Sequence, residues 1–141
     1  MSPEELKTLA ARFITEVINP GNFDRASDYL TADFFDHALP PGLPNGLEGL
    51  KAALTMFKAA MPDLRWTVED AFVEGDKVVQ RGFASGTLTG SFMGMPPTGK
   101  RATWSETHIT RWVGGKLAEH WAAIDQLGMM QQVGLAPTPG Q

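Results

Sequence analysis

Residues 116–134, KLAEHWAAIDQLGMMQQVG, decide how the rest of the chain is interpreted. They follow a Gly114-Gly115 turn and begin with the alternating pattern of a strand, which gives way after Ile124 to a short methionine-rich helix. Asp125 stands at this transition, with apolar residues on both sides of it. The stretch therefore predicts a strand followed directly by a helix, with one carboxylate at the junction.

Asp125 has two interpretations. A carboxylate at the end of an apolar strand is poorly solvated, which favours its neutral form and suits a general base that works near neutral pH. An Asp directly before a helix is also a common N-cap, and here the helix is expected to begin at Gln126. Position alone does not choose between these roles, and the two are compatible with each other.

Length and composition indicate one domain with an ordinary hydrophobic core. The chain has 141 residues, of which 43% are hydrophobic, and single domains commonly have about 100–150 residues. It contains no cysteine, which excludes disulfides, thiolate metal sites and cysteine nucleophiles. We expect residues 1–134 to form the domain and residues 135–141, LAPTPGQ, to be a flexible, loosely held tail.

The charge pattern and the N-terminus exclude several classes of protein. The net charge is −4 and the sequence has no stripe of basic residues, so we expect no nucleic-acid partner. The N-terminus, MSPEELK, is acidic and lacks the apolar segment of a signal peptide. No apolar run approaches the ~20 residues that span a membrane, so we expect no membrane partner and a cytoplasmic location.

Apolar residues with helical spacing predict three helices in the first half of the chain. The first starts at a capping box, in which Ser2 is the N-cap and Glu5 its partner, and it extends to Ile18. A short second helix covers residues 24–30, and a third covers residues 47–60 after a proline-rich loop.

From Leu64 the period of the apolar pattern changes to two, which predicts strands. We expect one strand from Leu64 to the turn at residues 74–76, and three more over residues 78–88, 102–113 and 116–124. Helices followed by an antiparallel meander predict an α+β domain, with the helices packed in the concave face of a curved, mainly antiparallel sheet. Such a sheet encloses a conical cavity, where a small ligand commonly binds.

Alternation along the last two strands selects the residues that we expect to line this cavity. One face of the third strand carries Trp104, Glu106, His108, Thr110 and Trp112. One face of the fourth carries Glu119, Trp121, Ala123 and Asp125, unless a bulge intervenes. This parity puts His120 on the face opposite Asp125, which favours a structural or interface role for it.

Several short motifs follow one another between residues 35 and 134. They are Phe35-Asp36-His37, Met61-Pro62-Asp63-Leu64, EGDKVV at 74–79, Arg81, SGT at 85–87, TG at 89–90, GMPPTGK at 94–100, Arg111, GKLAEHW at 115–121, Asp125 and QQVG at 131–134. Their order and spacing resemble the SnoaL-like polyketide cyclases, also called ester cyclases, of the nuclear-transport-factor-2-like superfold.

The resemblance implies a cone-shaped α+β barrel and a cofactor-free intramolecular aldol condensation that closes a ring in a polyketide methyl ester. It implies that Asp125 takes a proton from an activated carbon and that His108 assists in the same pocket. One departure from the family pattern is Gly82, where many relatives carry a large aromatic residue, and this implies a different cavity shape.

The other candidate residues remain open between binding and structure. His108 either supports the reacting oxygen or is held by Glu106, and His37 either contacts ligand or fixes the proline-rich loop. The residues expected to contact substrate are His37, Trp104, Glu106, Trp121, Met93, Met95 and Phe57. No HExxH-like spacing is present, so we expect no metal site.

Three functions remain open at this point. The favoured one is a cofactor-free cyclase that acts on a small hydrophobic carbonyl compound. In the same pocket, Asp125 instead activates water against an epoxide or ester, or moves a proton in an isomerisation. The third is a non-catalytic binding or dimerisation module, which an ion pair between Asp125 and Arg81 or Arg111 would indicate. The exposed convex face of the sheet also predicts a homodimer.

Overall fold

The computed structural model describes residues 1–140. It contains three α-helices and a curved sheet of five strands, with the helices packed on the inner, concave face of the sheet. The predicted α+β architecture is therefore confirmed. Within residues 1–140 the two edge strands do not pair with each other, so the cone is open on one side.

The first helix, α1 (Pro3–Phe13), begins where the sequence predicts. The Ser2 hydroxyl accepts a hydrogen bond from the Glu5 backbone N–H at 3.1 Å, and the Glu5 carboxylate accepts one from the Ser2 N–H at 3.0 Å. This reciprocal capping box satisfies two backbone donors that have no partner inside the helix.

The chain beyond α1 is helical as predicted, but its turns are not α-helical. A wider π-helical turn covers Ile14–Ile18, and a short 3-10 helix covers Phe23–Asp28. Between them, the Asn19 side chain binds both backbone groups of Trp66: it donates to the carbonyl at 3.0 Å and accepts from the N–H at 2.8 Å. This pair of bonds attaches the end of the N-terminal helix to the sheet.

The second helix, α2 (Leu47–Ala60), has the bounds predicted from the spacing of its apolar residues. Leu50, Ala53 and Ala60 form its buried side. It begins directly after Gly46, whose φ of 97° is readily adopted only by glycine. The proline-rich loop therefore turns sharply into this helix.

The sheet combines an antiparallel meander with one parallel edge strand. Its strands are β1 (Leu30–Asp36), β2 (Arg65–Glu74), β3 (Lys77–Thr87), β4 (Arg101–Val113) and β5 (Lys116–Ile124), and the last helix is α3 (Gln126–Gln132). Their order in the sheet is β1-β5-β4-β3-β2. Strands β2 to β5 form the predicted meander, whereas β1, predicted only as a brief extended segment, pairs with β5 in parallel.

A β-bulge in β5 determines which of its side chains point to the inner face. Arg111 pairs with Glu119, and Trp112 pairs with Leu117. Ala118 is therefore an extra residue in β5. Because side chains alternate between the two faces of a strand, one extra residue exchanges the faces of all residues after it. The faces that simple alternation predicts for this strand are reversed beyond the bulge.

Two clusters of buried apolar residues occupy the inner face, one near each end of β4. The first, around Trp112, joins α1 to the 3-10 helix and β1. The second, around Trp104, joins the end of α2 to β3 and α3. Between these two tryptophans, the same face of β4 carries Glu106, His108 and Thr110. Polar groups therefore lie in the middle of the inner face.

The C-terminal residues that we expect to be loosely held begin beside α3. The backbone N–H groups of Leu135 and Ala136 both donate to the Met130 carbonyl, at 2.8 and 3.2 Å. The boundary between domain and tail stays a prediction, and Gln141 lies outside the described residues. Within residues 1–140, no helix is both long enough and apolar enough to cross a membrane.

Candidate active site

The candidate site starts at Asp36, a buried carboxylate at the end of β1. Its residue is 4% exposed, and its Oδ1 accepts a hydrogen bond from the Ala38 N–H at 2.8 Å. The Asn45 side chain fixes the backbone here, because its Oδ1 accepts from the Asp36 N–H at 2.8 Å and its Nδ2 donates to the Asp36 carbonyl at 2.9 Å. The proline-rich loop thus holds this carboxylate in one position.

Two histidines, bonded to each other at their ring edges, continue from Asp36 across the inner face. His120 Nδ1 lies 2.9 Å from Asp36 Oδ1, and His120 Nε2 lies 2.8 Å from His108 Nδ1. The two imidazole rings are 5.1 Å apart and nearly parallel, with an angle of 11° between their planes. Both ring nitrogens of His120 are therefore engaged.

The series of hydrogen bonds ends at Glu106 and Trp104. His108 Nε2 lies 2.7 Å from Glu106 Oε1, and Glu106 Oε2 accepts a hydrogen bond from Trp104 Nε1 at 2.7 Å. The Trp66 ring packs edge-on against His108 at 4.9 Å. We call Asp36, His120, His108, Glu106 and Trp104 the inner-face chain.

Exposure rises from the Asp36 end of the inner-face chain towards its middle. The exposed fraction of the side chain is 2% for Asp36, 18% for His120, 21% for His108 and 13% for Glu106. The Asp36 carboxylate is closed to solvent, whereas Glu106 and both imidazoles are partly open to it. The inner-face chain can therefore exchange a proton with a small molecule at Glu106 while its other end stays buried.

Asp125 lies apart from the inner-face chain. Its side chain accepts a hydrogen bond from the Gly128 N–H at 2.9 Å, which makes it the N-cap of α3. The prediction of a helix cap is confirmed, and the prediction of a poorly solvated carboxylate was wrong, because Asp125 and its neighbours Ile124 and Leu127 are exposed. The Asp125 N–H still donates to the Ser105 carbonyl at 3.1 Å, but the ladder between β4 and β5 ends at Ile124 and Asp125 is exposed to solvent.

His37 and Trp121, both predicted to contact substrate, lie together on the outer face of the sheet. Their rings stack at 5.0 Å with an angle of 5°. His37 Nε2 lies 2.6 Å from Glu119, which also accepts a hydrogen bond from Arg111 at 2.9 Å. We call these four residues the outer-face cluster. The structure does not bring them together with His108.

The remaining predicted contacts belong to the second core cluster or to its border. Phe57 and Met95 pack against that cluster, with the Phe57 ring 6.2 Å from the ring of Phe92. Met93 is 53% exposed in the loop after Phe92. Of the residues predicted to bind substrate, Trp104 and Glu106 are the two that the structure joins to His108 through hydrogen bonds.

Asp36 and His120 are the two site residues that sequence reasoning missed. Simple alternation put His120 on the face opposite Asp125 and favoured a structural or interface role, whereas with the extra residue Ala118 its side chain lies on the inner face and contacts His108. Asp36 was visible in the Phe35-Asp36-His37 motif, but its role depends on the parallel pairing of β1 with β5, in which Asp36 is the partner of His120. A sequence prediction with a bulge at Ala118 would have placed His120 on the inner face.

An ion pair between Asp125 and Arg81 or Arg111 would have indicated a non-catalytic module. Both arginines bind other carboxylates instead. Arg81 contacts Asp70, and Arg111 contacts Glu119.

Residues 1–140 contain no group of three or more His, Asp or Glu side chains arranged to hold a metal ion. A surface pocket of about 550 Å³, bordered by Lys100 and by residues after α3, contains no residue of the inner-face chain.

Comparison with known proteins identifies relatives along nearly the whole chain. A family model described as SnoaL-like polyketide cyclase matches residues 8–133. The aklanonic acid methyl ester cyclase DauD of Streptomyces sp. (strain C5) is 30% identical over 132 residues, which cover 91% of this chain and 82% of that protein. The nogalonic acid methyl ester cyclase of Streptomyces nogalater is 26% identical over 129 residues, which cover 86% of this chain and 92% of that protein.

A solved structure also matches this chain over nearly its whole length. TsrD from Streptomyces laurentii superposes with a TM-score of 0.85 at 29% identity, covering 96% of this chain and 99% of that chain. The matched residues 8–133 include every member of the inner-face chain. The family and the enzyme class predicted from the sequence motifs are confirmed. The chain belongs to the SnoaL-like polyketide cyclase family.

Proposed function

We propose that the protein closes a ring in a small hydrophobic carbonyl compound, such as a polyketide ester, by an intramolecular aldol-type reaction without a cofactor. Two relatives are named as methyl ester cyclases, which supports this reaction class. The observation that carries the proposal is the Glu106 carboxylate, held between His108 and Trp104 on a partly exposed part of the inner face.

Glu106 is the group to which we assign the carbon-bound proton. Each of its oxygens takes part in one hydrogen bond of the inner-face chain, and a carboxylate oxygen has a further lone pair for a substrate. Glu106 removes a proton from a carbon next to a carbonyl, and the enolate attacks a second carbonyl of the same molecule. The alkoxide that forms takes a proton back from Glu106, so no proton is gained or lost in a turnover.

His108 and Trp104 orient this carboxylate. Their two hydrogen bonds, each 2.7 Å long, fix both oxygens of Glu106, and Trp104 is itself 7% exposed in the second core cluster. A base that is already oriented loses little entropy when the substrate binds. Rigid packing on one side and partial exposure on the other therefore suit Glu106 to proton transfer.

Asp125 is the alternative base, because it occupies the position that the family resemblance implies. Its surroundings favour it less, since the side chain is exposed and already accepts the Gly128 N–H. Asn is as good an N-cap as Asp, so Asp125→Asn removes the charge and keeps α3 capped. The substitution therefore separates a role in catalysis from a role in folding.

The test compares Glu106→Gln with Asp125→Asn on a panel of aromatic polyketide methyl esters, with ring closure followed by absorbance and mass spectrometry. We expect Glu106→Gln to lower kcat by about 10²–10⁴-fold, the usual contribution of a positioned general base. Asp125→Asn should retain activity close to that of the wild type. The opposite order of effects would transfer the role of base to Asp125.

The outer face of the sheet supports a homodimer. Phe72 pairs with Val79, Val79 with Ile109, and Ile109 with Trp121, so an apolar row crosses this face from β2 to β5. Phe72, at one end of the row, is 55% exposed. We propose that a second copy of the chain packs on this row. We also propose that the protein is cytoplasmic.

Sedimentation velocity tests the homodimer. Phe72→Glu places a charge at the end of the apolar row and should convert the dimer to a monomer. Leu127→Glu is the matched control, because Leu127 is an apolar side chain of comparable exposure, 61%, at α3. A wild-type protein that sediments as a monomer, or a Phe72→Glu protein that remains a dimer, would contradict this interface.

A further inference from the structure

The hydrogen bonds of the inner-face chain indicate how many protons it needs. Three of its bonds join titratable groups: Asp36 to His120, His120 to His108, and His108 to Glu106. Each bond needs one proton between its two atoms. Two neutral histidines and two ionised carboxylates supply only two protons for these positions. The observed geometry therefore requires one more.

The position of the additional proton follows from the ends of the series. With Asp36 ionised, His120 donates from Nδ1, and its Nε2 either accepts from His108 or donates to it. In the first case the additional proton lies between His108 Nε2 and Glu106, and in the second it makes His120 doubly protonated. Moving the proton between these forms needs only short transfers along existing hydrogen bonds.

The surroundings of the inner-face chain favour holding this proton. Gln80 and Ala122 flank His108 on the neighbouring strands, Thr110 lies beside His120, and the Trp66 ring packs against His108, so these neighbours carry no charge. Asp36 and Glu106 are the negative ends of the series, and neither makes an ion pair with a lysine or arginine in the described residues. Positive charge next to the two carboxylates therefore comes from the imidazoles.

We propose that the inner-face chain holds one shared proton between its two carboxylates, and that Asp36 and His120 are positioning residues that keep it there. This proposal rests on the proposed function, because it assigns the shared proton to the reaction at Glu106. The negative charge of buried Asp36 stabilises the protonated imidazole, and the protonated imidazole supports Glu106 next to the substrate.

The shared proton gives the reaction a balanced path. Glu106 receives the proton of the substrate carbon while the additional proton remains on the histidines, where its charge stabilises the enolate. When the enolate has attacked the second carbonyl, the alkoxide takes one proton from Glu106. The inner-face chain then again holds three protons, and the product has the atoms of the substrate in a new ring.

The test counts these protons directly in the wild-type protein without substrate. Nitrogen-15 NMR of labelled histidine distinguishes protonated from unprotonated ring nitrogens, and carbon-13 NMR distinguishes a carboxylate from a carboxylic acid at Asp36 and Glu106. At neutral pH we expect three protons in total over the four ring nitrogens and the two carboxyl groups. A total of two, with both carboxylates ionised and both histidines neutral, would overturn the proposal.

Asp36→Asn tests the role of the buried end. The Asn side chain carries no charge to balance the additional proton, so one of the three hydrogen bonds should lose its proton and the count should fall to two at the same pH. Glu119→Gln is the matched control, because it removes a histidine-bound carboxylate on the outer face and should leave the count at three. An Asp36→Asn protein that retains three protons would show that Asp36 does not hold the shared proton.

Activity supplies the second readout. Asp36→Asn should lower kcat by about 100-fold, the lower end of a general acid–base contribution, with little change in KM, because Asp36 lies too deep to contact substrate. If Asp36→Asn does not fold, Glu106→Gln tests the other negative end by the same proton count. Failure of the proposed function would appear as absent turnover with three protons present, whereas failure of this inference would appear as two protons in an active enzyme.

Discussion

Strands β4 and β5 carry a histidine–carboxylate system on each of their two faces, and the two systems differ in their cations. On the inner face, Asp36 and Glu106 bind only histidine and neutral donors. On the outer face, Glu119 binds both His37 and Arg111. The hydrogen bond from His37, followed by that from Arg111, holds the pKa of Glu119 below its usual value.

This difference lies in the source of the positive charge next to the carboxylates. Arg111 carries a permanent charge, so the charge of Glu119 is balanced without an additional proton on His37. The inner-face chain has no such cation, and its histidines are the groups that can balance the two carboxylates. The permanent charge of Arg111 thus favours a structural role for the outer-face cluster, whereas the inner-face chain depends on its histidines for positive charge.

Deletion of Ala118 should have the largest effect on the two histidine–carboxylate systems. Without the extra residue, regular pairing would turn His120 to the outer face and Trp121 to the inner one, so both systems would lose a member. We expect the deletion variant to lack a cooperative unfolding transition in circular dichroism at 25 °C. Ala118→Gly is its control, because it keeps the residue count. A deletion variant with a wild-type unfolding curve would contradict the bulged pairing of β5 with β4.

His120→Ala should have the next largest effect. It leaves the buried Asp36 carboxylate without its imidazole partner, and loss of one partner from a buried charged pair costs about 3 kcal/mol in the free energy of unfolding. His37→Ala, the same substitution in the outer-face cluster, should cost clearly less, because Glu119 keeps Arg111 and the site is more exposed. Urea denaturation of both variants checks the order, and equal costs would remove the distinction between the faces.

Glu119→Gln should have the smallest effect, and that effect should depend on pH. A carboxylate whose pKa is lowered by folding contributes stability above its unfolded value of about 4.5, and this contribution is lost as the pH falls through the folded pKa. The variant should therefore be slightly less stable than the wild type at neutral pH and equally stable in acid. Urea midpoints measured across this range check the sign, and a difference that grows in acid would contradict it.

Local sequence patterns were sufficient for most of the fold. The spacing of apolar residues in α2 gave its bounds, and the Gly114-Gly115 turn with its flanking alternation gave the β4–β5 hairpin. The position of Asp125 before a short helix gave the α3 cap. In each case the decisive information lies within a few residues of the feature.

The candidate site required information that is not local. Leu117 and Ala118 are both apolar, so their pattern fits a regular strand as well as a bulged one, and the choice decides the face of His120. The parallel partner of β1 is likewise invisible in its own sequence, because the contacts that select it lie at the other end of the chain. Alternation therefore predicted the inner-face residues of β4 and failed for those of β5.

The parallel pairing of β1 with β5 also sets the order in which the protein can assemble. The bond between Asp36 and His120 joins residues separated by 84 positions, so its loop-closure entropy is recovered only after the intervening meander has formed. Helices α1 and α2 and the β4–β5 hairpin have mostly local contacts and can form earlier. The bond from His120 to Asp36 is consequently among the last parts of the inner-face chain to form, whereas the bond between His108 and His120 lies within the β4–β5 hairpin.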